Sequence, residues 1–223
     1  MTTDIAPRAF IFDFDGTLAD SMWVWHEVDM EFARRRGLDF TKEDSEIIAA
    51  LGFEGTAKWL LERFGLDESV EDLISEWYGI AEESYSKDVP LKPCAWEFVA
   101  QLKALGYPVA IASSLDRRLL EAALTNNDAL ELFDAIVVCD EVCDKGKSTP
   151  AVYLETAKKL GVPLVDCVVF EDVAMAARSA KEGGAFVVGI RDEHPQQARG
   201  ELQAAADVFY AGFEPLLALT EAR

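Results

Sequence analysis

Four acidic residues stand directly after apolar runs of the sequence, where carboxylates can hold a metal ion or act as nucleophiles. Asp13 and Asp15 follow the first run, and Glu171 and Asp172 follow a later one. Carboxylates gathered at the end of a buried strand repel one another unless a cation neutralises them. Oxygen ligands without histidine or cysteine favour Mg²⁺. One carboxylate would remain to attack phosphorus and form an aspartyl-phosphate.

Hydroxyl and basic side chains occur at comparable places. Ser113 and Ser114 end a second apolar run, and Lys145 and Lys147 precede a predicted helix. A serine hydroxyl can donate to a phosphate oxygen, and a lysine can balance its charge. Gly16 would allow a sharp turn whose backbone N–H groups hold phosphate oxygens. Each residue also has an ordinary explanation, as a strand-end cap, a solvated helix start or a surface lysine, so the hypothesis depends on their convergence.

Six short apolar runs predict buried strands that would bring these residues together. From about residue 92 to the end, strands and helix-like stretches alternate, which predicts an α/β fold with a Rossmann-like parallel sheet flanked by helices. In such a sheet, ligands bind at the carboxyl ends of the strands. The predicted strands cover residues 9–12, 109–113, 135–139, 167–170, 185–190 and 208–210.

The segment from residue 20 to about 90 interrupts this alternation and looks helical throughout. It closes with VPLKP, whose two prolines mark a boundary. We therefore predict a catalytic core made of residues 1–19 and 91–223, with residues 20–90 inserted as an α-helical cap domain. The helices expected in the insertion cover residues 22–36, 42–50, 54–64 and 68–86.

The amino-acid composition of the chain limits the kinds of molecule that it is expected to bind. Lysine and arginine total 21 against 41 aspartate and glutamate residues, so the net charge of −20 disfavours nucleic acid and anionic membranes. No apolar run approaches the ~18 residues of a membrane span. The N-terminus lacks a basic start followed by an apolar stretch, so we expect a cytoplasmic protein. Cys139 and Cys143 lack the further ligands of a tetrahedral metal site, and we expect reduced thiols.

The sequence resembles the haloacid dehalogenase-like hydrolase superfamily, and within it the β-phosphoglucomutase-like branch with a helical first-type cap. FDFDGTLADS (12–21) matches the first motif of that superfamily, D-x-D-G-T/V. IASS (111–114) is similar to the second motif, GKSTPAVYL (146–154) to the third and VVFED (168–172) to the fourth. The resemblance spans nearly the whole chain and implies Mg²⁺-dependent phosphoryl transfer through an aspartyl-phosphate.

The resemblance also implies a role for each matched residue. Asp13 would be the nucleophile and a Mg²⁺ ligand. Asp15 would exchange a proton with the leaving oxygen and with water, and its backbone carbonyl would bind the metal. Ser113 would hold the transferring phosphoryl group, and Lys147, rather than Lys145, would bridge nucleophile and phosphate. Asp172 and Glu171 are expected as metal ligands, with Glu171 bound directly or close by. The residues expected to contact phosphate or substrate are Gly16, Thr17, Ser114, Trp23 and Trp25.

Departures from the family pattern favour a phosphatase over a mutase. Trp25 stands where the mutases carry a cap histidine, with His26 one residue late, and Gly55 stands where a cap arginine grips a second phosphate. Ser148 and Ala151 replace the usual proline and aspartate of the third motif. Asp15 argues for phosphoryl transfer over carbon–halogen cleavage, because true dehalogenases lack this second aspartate.

Other readings stay open. The tryptophans of the predicted cap could pack its helices rather than touch substrate. A β-phosphoglucomutase-type mutase and a catalytically silent binding protein of the same fold remain alternatives. A phosphate-receiver signalling domain is disfavoured, because it needs only ~120 residues and no helical insertion. We expect a small phosphorylated metabolite as substrate, since a closing cap leaves limited room, and a monomer or weak homodimer.

Overall fold

A single parallel sheet forms the centre of the molecule. The computed structural model describes residues 7–41, 44, 47–48, 53–143, 145–192 and 200–221. The strands are β1 (Ala9–Phe12), β2 (Val109–Ser113), β3 (Ala135–Val138), β4 (Cys167–Glu171), β5 (Phe186–Ile190) and β6 (Val208–Tyr210). They lie in the order β3-β2-β1-β4-β5-β6, and every neighbouring pair is parallel. The predicted sheet is confirmed, and each predicted strand agrees to within one residue at either end.

Helices alternate with the strands after β2 and fill the segment between β1 and β2. The α-helices that lie entirely within the described residues are α1 (Val24–Arg36), α2 (Phe53–Phe64), α3 (Val70–Lys87), α4 (Ala95–Ala104), α5 (Arg117–Asn126), α6 (Ala151–Lys159), α7 (Ala174–Glu182), α8 (Glu201–Ala205) and α9 (Glu214–Glu221). The predicted helices 22–36, 54–64 and 68–86 are confirmed as α1, α2 and α3. The helix predicted over 42–50 lies mostly outside the described residues. Within the described chain, none of the helices has the length and apolar character needed to cross a membrane.

The two faces of β1 supply two separate cores. Phe10 and Phe12 point to one face, where the Phe12 ring stacks on Phe170 with centroids 4.5 Å apart. Ala9 and Ile11 point to the other face. Residues of α4, α5 and α9 pack on the first face, and residues of α6, α7 and α8 on the second. A strand buried on both faces has no polar side to present, which explains why the run is continuously apolar.

The helices between β1 and β2 pack on one another and on the sheet domain. Phe32 of α1 meets the Trp77 ring of α3 edge-on, with centroids 5.7 Å apart. A capping box starts α3: the Ser69 hydroxyl accepts from the Asp72 N–H, and the Asp72 carboxylate accepts from the Ser69 N–H. The same helix lies against α5 of the sheet domain. Helix α3 is therefore the main contact between the insertion and the rest of the fold.

The chain leaves the sheet domain and returns to it at one place. Ala19 and Leu91 form an isolated antiparallel bridge. Next to it, the Asp20 N–H donates to the Pro90 carbonyl at 3.0 Å. The two linkers of the insertion are thus held side by side, close to the loop that follows β1.

Candidate active site

The chain turns sharply after β1 and carries two aspartates through the turn. The Asp13 N–H donates to the Phe170 carbonyl of β4 at 3.0 Å, so the ladder between the two strands continues to Asp13. Gly16 lies at φ +74°, and a Cβ added there would lie 2.9 Å from Cγ of Asp172. Only glycine adopts this backbone conformation without strain and also clears the carboxylate. The turn consequently passes directly over Asp172.

Three buried carboxylates meet at this edge of the sheet. Asp13, Glu171 and Asp172 each offer an oxygen, and these atoms all lie within 4.8 Å of one another. The parallel register of β1 and β4, which pairs Phe12 with Phe170, places the residues that follow side by side. Three acids buried this closely need positive charge nearby, because water cannot screen them.

Lys147 supplies part of that charge. It lies in a single 3-10 turn, Gly146–Ser148, just before α6, and is 7% exposed. Its Nζ contacts Oδ1 of Asp13 and lies 2.6 Å from Oε1 of Glu171. Burial by itself lowers the pKa of Lys147, but the two carboxylates reverse this and hold the pKa above its ordinary value. Lys147 is therefore a fixed cation of the cluster, whereas Lys145 is exposed.

Glu171 has one satisfied oxygen and one that lacks a partner. Oε1 accepts from Lys147 and from the Tyr153 hydroxyl, the latter at 2.6 Å. Oε2 is buried without a hydrogen-bond partner among the described residues. Burial, followed by the charge of Asp13, raises the pKa of Glu171 to about 7. A buried carboxylate oxygen left without a donor is suited to bind a cation.

Thr17 joins two of the acids. Its hydroxyl lies 3.2 Å from Oδ1 of Asp172 and 3.4 Å from Oδ2 of Asp13. Burial, and then the charges of Asp13 and Glu171, raise the pKa of Asp172 well above its ordinary value. One lysine does not balance three carboxylates, so the cluster could hold a metal ion. The chemistry of the donors, all carboxylate oxygens, matches a hard divalent cation.

Asp15 points away from this cluster and toward the insertion. Its Oδ1 accepts from the Ser21 hydroxyl at 2.6 Å and from the Tyr85 hydroxyl of α3 at 2.7 Å. Burial raises the pKa of Asp15 to about 6; the Ser21 bond opposes this and the charge of Asp13 adds to it. A carboxyl group with a pKa near 6 can both give and accept a proton close to neutral pH.

The hydroxyls of Ser113, the last residue of β2, and of Ser114, which follows it, lie at the same edge of the sheet. The register that pairs Phe12 with Ile111 brings Ser113 level with the end of β1. Ser113 is buried, and its Oγ accepts from the Leu115 N–H at 3.0 Å, which leaves its own hydrogen to donate. Ser114 is exposed, with Oγ 3.4 Å from the Cys139 thiol.

Gly16 and Thr17 shape the turn with their backbones. The Gly16 N–H donates to the Ala19 carbonyl at 3.1 Å, and the Thr17 N–H donates to the Phe14 carbonyl at 3.3 Å. Both amide hydrogens are thus engaged inside the turn. A direct contact of these two residues with phosphate stays a prediction.

Comparison with known proteins identifies the family. The family model described as haloacid dehalogenase-like hydrolase matches residues 7–184. The chain belongs to this family. Among its relatives is validoxylamine A 7'-phosphate phosphatase of Streptomyces hygroscopicus subsp. limoneus, which is 31% identical over 200 residues, 87% of this chain and 90% of the relative. A bifunctional riboflavin kinase/FMN phosphatase of Arabidopsis thaliana is 30% identical over 181 residues, 81% of this chain, and the chain spans only 47% of its length.

A solved structure agrees with the fold. CbbY from Rhodobacter sphaeroides, crystallised in complex with phosphate, superposes with a TM-score of 0.79 at 23% identity, covering 94% of this chain and 96% of that one. The family, together with the relatives named as phosphatases, shows that this haloacid dehalogenase-like hydrolase is an enzyme.

The two tryptophans that follow the first motif of this hydrolase differ in their surroundings. The Trp25 ring lies between two tyrosines of α3, with centroids 6.3 Å from Tyr78 and 6.5 Å from Tyr85. Trp23 is 36% exposed, and its indole N–H donates to the Asp20 carbonyl at 2.9 Å. Trp25 therefore packs beside Tyr85, which donates to Asp15, whereas Trp23 lies at the surface. His26 is exposed.

Sequence reasoning missed four residues that hold the site of this hydrolase. Ser21 and Tyr85 bind Asp15, and Tyr153 binds Glu171. Nζ of Lys92 contacts the Gly16 carbonyl and the carboxylate of Asp192, which follows β5. Ser21 closes the first motif, which was a usable signal. The other three are distant in sequence from the groups they bind, and nothing in their local pattern separates them from ordinary core or linker residues.

Proposed function

We propose that this chain is a Mg²⁺-dependent phosphatase that hydrolyses a small phosphate monoester, a sugar phosphate or a similar metabolite, through an aspartyl-phosphate on Asp13. The observation that carries the proposal is the meeting of Asp13, Lys147 and Asp172 at the carboxyl edge of the sheet, with Asp15 in the same turn. The name of the Streptomyces relative, a phosphatase of a 7'-phosphate, supports the substrate class.

The first step transfers the phosphoryl group to the protein. The Asp13 carboxylate attacks phosphorus, and the bond from phosphorus to the ester oxygen breaks. The departing oxygen keeps that electron pair and takes a proton from Asp15, so a neutral alcohol leaves. A pKa of about 6 for Asp15 supports this role, because the proton is then held weakly enough to be given up.

The second step releases phosphate. Water attacks the phosphorus of the aspartyl-phosphate while the Asp15 carboxylate accepts a proton from that water. The bond between phosphorus and Asp13 breaks, and orthophosphate departs. Asp13 is again a carboxylate and Asp15 is again protonated, so the cycle closes.

The acids of the cluster would hold Mg²⁺. Asp13, Asp172 and the backbone carbonyl of Asp15 are its proposed ligands, with Glu171 beside them or bound directly. The partnerless Oε2 of Glu171 supports a cation at this place. When bound, the ion neutralises the carboxylates and polarises the phosphoryl oxygens. Lys147 and the Ser113 hydroxyl would bind those oxygens from the protein side.

We assign residues 20–90 to a cap and residues 1–19 and 91–223 to the catalytic core. The linkers joined at Ala19 and Leu91 support this division. So does the position of Tyr85, which reaches from the insertion to Asp15. A cap over the site would exclude bulk water during transfer and limit the size of the substrate.

The charges of the proposed cap favour a phosphatase over a sugar-phosphate mutase. A mutase must grip a second phosphate with a cation of the cap. Each arginine and lysine in the described part of the insertion already pairs with a carboxylate. The pairs are Arg34 and Arg35 with Glu31, Arg36 with Glu68 and Glu76, Lys58 with Glu54, Arg63 with Asp44, and Lys87 with Glu83.

Phosphate release from 4-nitrophenyl phosphate and from a panel of phosphorylated sugars tests the proposal. Release should require Mg²⁺, stop with EDTA, be abolished in Asp13→Asn and be nearly abolished in Asp15→Asn. An absence of turnover with every ester and divalent metal would favour a binding protein. Conversion of a sugar 1-phosphate into its 6-phosphate in the presence of a bisphosphate, without net release of phosphate, would favour a mutase.

A further inference from the structure

Asp15 is held by hydroxyl groups from two separate parts of the chain. Ser21 belongs to the linker that enters the insertion, and Tyr85 to the last turn of α3, 70 residues from Asp15 in sequence. Both donate to the same carboxyl oxygen, Oδ1, at 2.6 and 2.7 Å. Two short bonds on one oxygen fix the rotation of the carboxyl group and so distinguish Oδ1 from Oδ2.

Tyr85 is in turn held by the packing around it. The Tyr85 side chain is completely buried. The Trp25 ring lies beside the Tyr85 ring, with centroids 6.5 Å apart. A hydroxyl has a single hydrogen, and Tyr85 directs it to Asp15. This hydrogen bond joins α3 to the turn after β1.

We propose that Tyr85, together with Ser21, is a positioning residue that leaves Oδ2 of Asp15 as the oxygen that exchanges the proton with leaving group and water. The inference rests on the proposed function, because it refines the role given there to Asp15. A carboxyl group protonated on Oδ2 still accepts both bonds on Oδ1, so the arrangement serves the acid and the base form alike.

Substrates that differ in their need for a proton test this assignment. An alkyl phosphate needs its leaving oxygen protonated, whereas 4-nitrophenolate leaves without much help. Tyr85→Phe keeps the buried ring and removes the hydroxyl. We expect kcat/KM to fall roughly tenfold with the alkyl phosphate and by less than about threefold with 4-nitrophenyl phosphate. Ser21→Ala should produce the same kind of selective loss, because it removes the other donor to Oδ1.

Tyr78→Phe is the matched control. Tyr78 lies on the same helix, and its ring also contacts Trp25, with centroids 6.3 Å apart. Its kcat/KM should stay within about twofold of wild type with both substrates. Circular dichroism and thermal unfolding would verify that each variant is folded, and Ser21→Ala carries the test if Tyr85→Phe is not folded.

The outcomes separate this inference from the proposed function. Wild-type protein without phosphatase activity would remove the proposed function and this role with it. Active wild-type protein together with an unaffected Tyr85→Phe would overturn the positioning role alone. Equal losses with both substrates would also overturn it, because a purely structural defect does not depend on the leaving group.

Discussion

The Tyr153 hydroxyl and the Lys147 ammonium bind the same oxygen of Glu171, each at 2.6 Å. Tyr153 comes from α6, and Lys147 from the turn just before it. Glu171 is thereby bound to α6 and to the turn before it. That turn also supplies Lys147, the cation that contacts Asp13. The second oxygen of Glu171 is buried without a hydrogen-bond partner among the described residues.

Tyr153→Phe should weaken this arrangement. Loss of a donor to a buried carboxylate costs about 1–3 kcal/mol. We expect the free energy of unfolding to fall by roughly that amount and the phosphatase kcat to fall as Lys147 loses its fixed place. Tyr107→Phe is the control, since Tyr107 packs on Phe10 at the opposite end of β1. Equal stability of the two variants in urea unfolding would contradict the expectation.

Lys147→Met should destabilise the protein in a way that a metal ion offsets. Removing the lysine leaves three buried carboxylates without their protein cation, and breaking a buried pair costs roughly 3–5 kcal/mol. Because a bound cation replaces part of the lost charge, Mg²⁺ should raise the melting temperature of the variant more than that of wild type.

Lys145→Met provides the comparison for that measurement. Lys145 is exposed in the same turn, so its removal should change stability by about 0.5 kcal/mol or less. Thermal unfolding of the three proteins, in EDTA and in Mg²⁺, gives the result. A Lys147→Met protein as stable as wild type in EDTA would show that the lysine does not hold the cluster together.

Gly16→Ala should harm both stability and activity. An alanine at φ +74° is strained by about 1–2 kcal/mol, and its Cβ would collide with the Asp172 carboxylate. Gly37→Ala separates the two effects, because Gly37 has a similar φ of +63° with nothing within 4 Å of the added Cβ. We expect Gly37→Ala to lose stability only, whereas Gly16→Ala should also lose kcat. Similar activity in both variants would argue against a tight turn over Asp172.

Asp29→Asn should stabilise the protein at neutral pH and have little effect in acid. Burial raises the pKa of Asp29 on α1 from 3.8 to about 6, and His26 opposes the shift. The folded state binds the proton more tightly than the unfolded chain. The stability contributed by protonated Asp29 is therefore complete below pH 3.8 and is lost as the pH rises through about 6.

Thermal unfolding across the pH range gives the measurement for Asp29→Asn. After allowance for the partial exposure of the side chain, we expect the variant to gain about 1 kcal/mol at pH 7.5. The difference should disappear near pH 4. A gain that is the same at both pH values would assign the effect to packing rather than to charge.

The sheet and the convergence of several site residues could be predicted from the sequence, for reasons visible in particular residues. Runs such as 109–112 are continuously apolar because parallel strands are buried on both faces, and this made them easy to recognise. Asp13 and Glu171 stand at the ends of such runs. A parallel sheet therefore predicts that they lie close together at one edge. The order of the strands, which makes β1 and β4 neighbours, does not follow from any local pattern of the sequence.

The rest of the site depends on long-range packing. Nothing near Tyr85 or Tyr153 predicts that a hydroxyl will meet a carboxylate from another part of the chain, because each lies in an ordinary amphipathic helix. Lys92 is one residue of a linker, and its contact with Gly16 depends on the return path of the insertion. The cytoplasmic location and the oligomeric state stay predictions.

The side-by-side linkers at Ala19 and Leu91 have an evolutionary consequence. A segment whose ends are so close can be exchanged for a shorter or longer one without disturbing the strands. Selectivity for new metabolites can then arise in the replaceable part while the reacting groups stay where they are. The replacement segment would have to supply a new hydrogen-bond donor to Asp15, because Tyr85 belongs to the segment that is removed.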